Sequence, residues 1–325
     1  MKTVFWGTPE AAVPFLNFLT REQSLSTEIV GVLTQPDKPA HRGNKLQKSP
    51  VKIFAENLGI PVLEPTDLKG PELISKLKAF QAEAGIVVAY GRILPAAVIS
   101  AFPKGLYNIH FSLLPDLRGA APIQWAILKG LKKTGVCAFK ISETLDTGEI
   151  FAKREVELAQ DETAITLEQK LIILGIETLE ETLRAVESGK TQGEPQLEDF
   201  TQAPKIKKED AQINWQAPAI EIDRKIRALI RLGAFCTAPN GKILKIISAK
   251  LWEGSQPWEG SQPWEGPSLA GDVGAVINID GKNGFVIKCG VGHLLITKVQ
   301  PEGKKVMDSW SYLQGHPLKL GDRFR

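Results

Sequence analysis

Through residues 3–157, short apolar runs of strand length alternate with stretches of helical period, and this alternation constrains the fold more than any single motif does. Residues 3–6, 29–34, 61–63 and 84–89 read as strands, and residues 9–19, 51–58 and 71–80 carry the helical pattern between them. Strands alternating with helices predict a parallel sheet with right-handed crossovers. The first strand ends in Gly7-Thr8-Pro9 rather than a GxGxxG turn, so no nicotinamide dinucleotide is expected. The 325 residues allow one to three domains, and no apolar run reaches the roughly 18–20 residues of a membrane helix. The N-terminus, MKTVFWGTPEAAVPF, is too polar after Trp6 for a secretory signal. Cys137, Cys236 and Cys289 are scattered, which suits a reducing cytosol rather than a disulfide framework. No CxxC occurs and the four histidines lie far apart, so no metal is expected.

The stretch at residues 105–124, GLYNIHFSLLPDLRGAAPIQ, opens as another strand and closes in a helical run over residues 123–131. Near the strand's end Asn108 and His110 stand two residues apart, so their side chains point the same way. In open parallel sheets ligands bind beyond the carboxyl ends of strands, where this pair falls. Two further strands, at residues 135–141 and 150–157, flank the turn Leu145-Asp146-Thr147-Gly148. An imidazole carries protons near neutrality, a carboxylate beside it fixes its tautomer, and an amide can donate to a developing oxyanion. Asn108, His110 and Asp146 together suit acyl transfer to an amine. Each residue also has an ordinary structural reading, since a strand-end Asn and a turn Asp commonly serve local hydrogen bonds. A Ser112/His110/Asp146 nucleophilic triad is possible on residue type, but no GxSxG elbow surrounds Ser112.

Residues 34–52, TQPDKPAHRGNKLQKSPVK, set Lys38, Arg42, Lys45, Lys48 and Lys52 against the single acid Asp37 and are broken by prolines and a glycine. Such a loop either touches phosphates or is simply solvated. Residues 163–189 form a long amphipathic helix with Leu167, Leu171, Leu174, Ile176, Leu179 and Leu183 near helical spacing. Residues 191–204 are polar and aperiodic and read as an interdomain linker. Beyond a helix at residues 217–231, short β-like runs at 242–249, 275–279, 284–289 and 293–299 suggest a small barrel. From Lys205 onward 18 Lys and Arg face 12 Asp and Glu, an excess that hints at a polyanionic partner. The repeat WEGSQP, starting at Trp252 and continuing through Trp258 and Trp264, has neither period and reads as a loop expansion, although its tryptophans could stack on bases.

NIHFSLLPDLRGAAPIQW closely resembles the signature of the methionyl-tRNA formyltransferases, and VFWGTPEAA, GVLTQPDKPAHRG, VVAYGRILP, LDTGEI and QPEGKKVMDSWSYLQGHPLKLGDRF match in order over nearly the whole chain. The smaller glycinamide ribonucleotide formyltransferases share the Asn, His and Asp but lack a C-terminal domain and the basic insert. The resemblance implies a Rossmann-like, parallel-sheet formyltransferase domain (residues 1–190), a linker (191–207) and a small OB-like β-barrel domain that binds tRNA (208–325). It makes Asn108, His110 and Asp146 the catalytic set. It places Ser112, Leu113, Leu114 and Pro115, with Tyr90, Gly91, Arg92, Ile93 and Leu94, at the folate site. It sends the loop bearing Lys38, Arg42, Lys45 and Lys48 to the tRNA acceptor stem. The implied donor is 10-formyltetrahydrofolate, the acceptor is initiator methionyl-tRNA, and a cytoplasmic monomer without metal or membrane contact is expected. Two departures from the family stand out: residues 230–235 lack the proline-rich turn that family members often carry, and the tryptophan repeat has no counterpart. Formyl transfer to a sugar or nucleotide amine, and RNA binding on a decayed enzyme scaffold, are the competing readings.

Overall fold

The run TVFW forms the interior of strand β1 (Lys2–Gly7), and Val4, Phe5 and Trp6 are all fully buried there. A strand buried on both faces belongs inside a helix-covered sheet. The computed structural model places it so and describes residues 1–39, 46–253, 272–280 and 282–325. The chain forms two compact units, one of Met1–Ala126, Lys132–Leu158 and Leu167–Lys205, the other of Ile127–Leu131, Ala159–Thr166 and Ile206–Arg325.

In the first unit β1 is followed by β2 (Glu28–Leu33), β3 (Lys38–Pro39), β4 (Leu46–Gln47), β5 (Val62–Leu63), β6 (Ala84–Val88), β7 (Gly105–His110), β8 (Lys133–Lys140) and β9 (Ile150–Glu157). The helices are α1 (Val13–Arg21), α2 (Pro50–Asn57), α3 (Pro71–Ala79), α4 (Ala96–Ile99) and most of α5 (Pro122–Leu128) and α6 (Ala164–Glu187). One sheet runs β5-β2-β1-β6-β7-β8-β9. Its first five strands are mutually parallel, as the alternation predicts, whereas β8 is antiparallel to both β7 and β9. The turn joining β8 to β9 is too short for the dozen or more residues a parallel crossover needs, so a reversal is forced there. Leu167, Leu171, Leu179 and Leu183 of α6 are buried, matching the helical stripe. The basic stretch is not wholly irregular: β3 and β4 pair antiparallel, Lys38 opposite Gln47 and Pro39 opposite Leu46.

The second unit holds α7 (Ala219–Ala228), β10 (Ala234–Thr237), β11 (Ile243–Leu251), β12 (Val276–Asp280), β13 (Gly284–Lys288), β14 (His293–Pro301), β15 (Met307–Asp308) and α8 (Ser309–Gly315). The expected strands appear as β11 to β14; β10, β15 and α8 are additions, each too short to show a period. The sheet order is β10-β11-β14-β13-β12, with β15 on β14. Its two edge strands are joined by the chain's last residues. Thr237 and Arg325 exchange backbone hydrogen bonds of 2.6 and 2.9 Å, Val276 N–H donates to Asp322 O (2.8 Å) and Phe324 N–H to Gly274 O (2.9 Å). This stitching ties the two edges of the sheet together through one segment, as the small barrel requires. Trp252 packs edge-on against His293 at 5.7 Å, and Trp258 and Trp264 lie outside the described residues.

Candidate active site

Strands β6 and β7 are parallel neighbours, with Val87 opposite Asn108, so the segments leaving them emerge together at the carboxyl edge of the sheet. Residues 90–94 follow one strand and residues 111–115 the other. Asn108 is half-buried, and among the described residues no hydrogen bond engages its side-chain amide. His110 is 6% exposed, and its Nε2 lies 2.9 Å from the carbonyl oxygen of Leu117. A carbonyl only accepts, so Nε2 carries the proton of the neutral ring and Nδ1 keeps the lone pair. The other side of the ring faces Asp146, whose Oδ2 is 3.9 Å from Nδ1.

Asp146 reaches this position by an indirect route. Lys140, the last residue of β8, pairs with Tyr107, three residues short of the end of β7, or roughly 10 Å along the strand. The turn that follows doubles back toward the carboxyl edge, with Asp146 in the left-handed region at φ 54°. Its Oδ2 accepts a 2.8 Å hydrogen bond from Gly119 N–H. The loop after β7 therefore grips both members of the pair: Leu117 holds the imidazole and Gly119 holds the carboxylate. Leu117 also lies in the left-handed region, at φ 59°.

The nucleophilic triad is ruled out by geometry. Ser112 is fully buried and its Oγ spends its proton on Asp116 O at 2.6 Å, while the two ring nitrogens of His110 face Leu117 O and Asp146. Cys137 sits opposite His110 in the ladder, but burial pushes its thiol up to about 11, so it is neutral at pH 7 and a poor nucleophile.

The residues expected at the folate site divide into two groups. Tyr90, Leu94 and Leu114 are buried; Tyr90 packs edge-on against Trp6 at 5.2 Å, and burial raises the pKa of its phenol. Arg92 is committed to backbone, donating to Pro65 O (2.7 Å) and Thr66 O (3.0 Å). Ile93, by contrast, is 69% exposed, Gly91 is exposed at φ 79°, and Leu113 and Pro115 are half-buried. Gly91 lies in the left-handed region that favours glycine, and a Cβ there would displace the end of the Gln35 side chain, whose Nε2 is 2.7 Å away. Gly91, Ile93, Leu113 and Pro115 thus keep exposed or part-exposed surface, while Tyr90, Leu94 and Leu114 are buried behind them.

Of the basic residues, Lys38 is exposed and donates to Gln35 (3.0 Å), and Lys48 pairs with Glu56 (2.7 Å). Arg42 and Lys45 lie outside the described residues. Lys52 does not belong to the exposed set. Its ammonium is clasped by Asp37 (2.8 Å) and Glu64 (2.6 Å), which raise its pKa, Asp37 foremost. Among the described residues no group of three or more His, Cys, Asp or Glu could hold a metal ion, and no helix is long and apolar enough to cross a membrane. A cavity of about 470 Å³ in the second unit, lined by Gln212, Trp215, Arg323 and Phe324 among others, contains none of these candidates.

Sequence reasoning passed over Gln196 and Thr201, which lie in the polar stretch expected to be a linker. Gln196 donates to Asp146 O and Gly148 O, and Thr201 Oγ1 accepts from Leu117 N–H. No periodicity or motif marks either residue.

Comparison with known proteins agrees with this architecture. Residues 1–183 match the formyl transferase family and residues 205–317 match the formyl transferase C-terminal domain. The chain is 39% identical over 323 residues to the methionyl-tRNA formyltransferase of Trichlorobacter lovleyi, covering 98% of this chain and 96% of that protein. It is 40% identical over 326 residues to that of Symbiobacterium thermophilum, covering 100% and 95%. Among solved structures it resembles HypX from Aquifex aeolicus in complex with tetrahydrofolic acid (TM-score 0.62, 19% identity, 96% of this chain but 47% of HypX). It also resembles the sugar 3N-formyl transferase WlaRD (TM-score 0.62, 19% identity, 94% and 99%); at such identities these two speak for the fold alone. With near-complete coverage by its relatives and the Asn, His and Asp of the signature gathered at one sheet edge, the chain belongs to the methionyl-tRNA formyltransferase family.

Proposed function

We propose that the chain transfers the formyl group of 10-formyltetrahydrofolate to the α-amino group of initiator methionyl-tRNA, with Asn108, His110 and Asp146 as the catalytic set. One observation carries the assignment of residues. An unpartnered amide and an imidazole whose Nε2 is already committed stand two residues apart on β7, with a carboxylate beside the free ring nitrogen. The surface at the same edge suits a folate, since Ile93 leaves an apolar side chain in solvent near the polar strand end. The folate supplies the formyl group, and the protein supplies the rest. Asn108 donates its amide N–H to the formyl oxygen as negative charge builds there; losing such a donor costs about 3–4 kcal/mol, or 10²–10³ in rate. The free α-amine of an aminoacyl ester is partly protonated near pH 7 and must shed a proton to attack. His110 takes that proton on Nδ1, the only ring nitrogen with a free lone pair, and returns it to the departing nitrogen of the donor. Asp146 steadies the imidazolium meanwhile.

For the acceptor, the basic segment bearing Lys38, Arg42, Lys45 and Lys48 meets acceptor-stem phosphates, and the basic second unit holds the tRNA body. The chain acts as a monomer in the cytosol, a compartment that suits three buried, unpaired thiols. The test is formyl transfer from 10-formyltetrahydrofolate to charged initiator methionyl-tRNA beside Asn108→Ala. Transfer that falls at least 10²-fold in the variant supports substrate and site together. Folate binding with no transfer to the tRNA would overturn the acceptor assignment. Arg42→Ala should raise the KM for tRNA and flatten its salt dependence without altering folate affinity; unchanged tRNA kinetics would sink the role of the basic segment.

A further inference from the structure

Asp146 stands in a turn whose internal bonds, such as Thr147 Oγ1 to Thr144 O (3.1 Å), do not orient it toward His110. The Gly119 N–H holds the carboxylate itself, and the backbone of the turn is held by the side chain of Gln196. Its Nε2 donates to Asp146 O (2.9 Å) and to Gly148 O (2.8 Å), and its Oε1 accepts from Arg118 Nε (3.1 Å) and a terminal Arg118 nitrogen (2.7 Å). Both donor and acceptor ends of this amide are thus engaged by protein partners. Its orientation is unambiguous, because a flip would set the amide NH₂ against guanidinium donors and its oxygen against two carbonyls. The strand-like segment bearing Gln196 is itself anchored. Glu194 and Ile150 exchange 2.8 Å backbone bonds, Arg118 N–H donates to Thr201 O (2.9 Å), Ala203 N–H donates to Arg118 O (2.8 Å), and the Arg118 guanidinium lies 4.7 Å over the Phe200 ring.

Arg118 lies between Leu117, whose carbonyl holds His110, and Gly119, whose N–H holds Asp146. Gln196 thus joins the two loops that set the imidazole–carboxylate geometry. We infer that Gln196 is a positioning residue for formyl transfer, fixing Asp146 against His110 from within a segment whose sequence looks like a plain tether. The inference rests on the proposed catalytic role of Asp146. Its chemistry is geometric: displacements of about 1 Å at reacting groups can cost on the order of 10²-fold.

Two variants of the full chain separate positioning from packing. Gln196→Met keeps the volume and loses all four hydrogen bonds. Gln196→Glu keeps the acceptor for Arg118 but cannot donate to Asp146 O and Gly148 O. Both should lower kcat about 10- to 100-fold, leave KM for folate and tRNA within about twofold, and displace the limb of the kcat–pH profile that depends on His110 and Asp146. In an Asp146→Asn background the same change at Gln196 should cost under about threefold more, because the group it positions is already gone. Rates and pH profile restored by Gln196→Glu would show that only the anchoring to Arg118 matters and would overturn the inference. So would a wild-type profile in Gln196→Met beside a collapsed Asp146→Asn. A wild-type rate in Asp146→Asn would overturn the catalytic reading and this inference with it.

Discussion

Gly119 sits at φ 125°, in the region that favours glycine, and a Cβ there would lie 2.6 Å from Ala203 O. The same residue donates the N–H that holds Asp146. Gly119→Ala should therefore cost about 1–3 kcal/mol of stability, read by calorimetry, and lower kcat beyond that loss. A variant with wild-type kcat would mean that the Gly119 bond is incidental to the site. At this scale the legible part of the site was the β7 pair, because a period of two places Asn108 and His110 on one side whatever surrounds them. The turn around Asp146 was legible as a turn. Its partner was not, since the contact depends on a doubled-back path along the sheet. The proton on Nε2 of His110 likewise follows from a carbonyl seven positions away in a non-repeating loop.

Helix α2 begins where Ser49 accepts from Lys52 N–H (3.0 Å), and the same hydroxyl meets Thr34 Oγ1 at 2.7 Å in buried surroundings. Ser49→Ala should destabilise the first unit by about 1–2 kcal/mol in denaturant unfolding. Helix α8 is capped by Asp308, whose side chain accepts from Ser311 N–H (2.7 Å); that bond foremost lowers its pKa. A carboxylate pKa lowered on folding adds stability above the unfolded value of about 3.9, and that stability is lost as pH falls through the lower folded value. Asp308→Asn keeps a capping side chain without the charge. In acid unfolding followed by circular dichroism, the variant should lose less stability than wild type below about pH 4; parallel curves would refute the assignment. The long elements were readable from their periods, α6 above all. β3, β4 and β15 have two residues each, too few to carry any period, so only their pairing reveals them.

Across the whole molecule, the second unit is completed by its final residues. Phe324 is 2% exposed, stacked on Phe285 (5.5 Å, 8° between planes) and edge-on to Trp215 (6.4 Å), while its backbone ties to Gly274. Phe324→Ala should cost about 3–5 kcal/mol in the unfolding of this unit, and weaken tRNA binding more than folate binding. Equal losses for both ligands would argue against an independent second unit. The sequence by itself determined the parallel core of the first unit, the small β-rich second unit and the residue types of the site, because periods of two and 3.6 and the turn signals are local properties of the chain. Only the tertiary structure decided the joining of β10 and β12 by residues 322–325, the seating of Asp146 beside His110 and the bridge through Gln196. These join residues far apart along the chain, as with the 78 positions between Arg118 and Gln196. Such contacts leave no period, since they exist only once packing has brought the segments together.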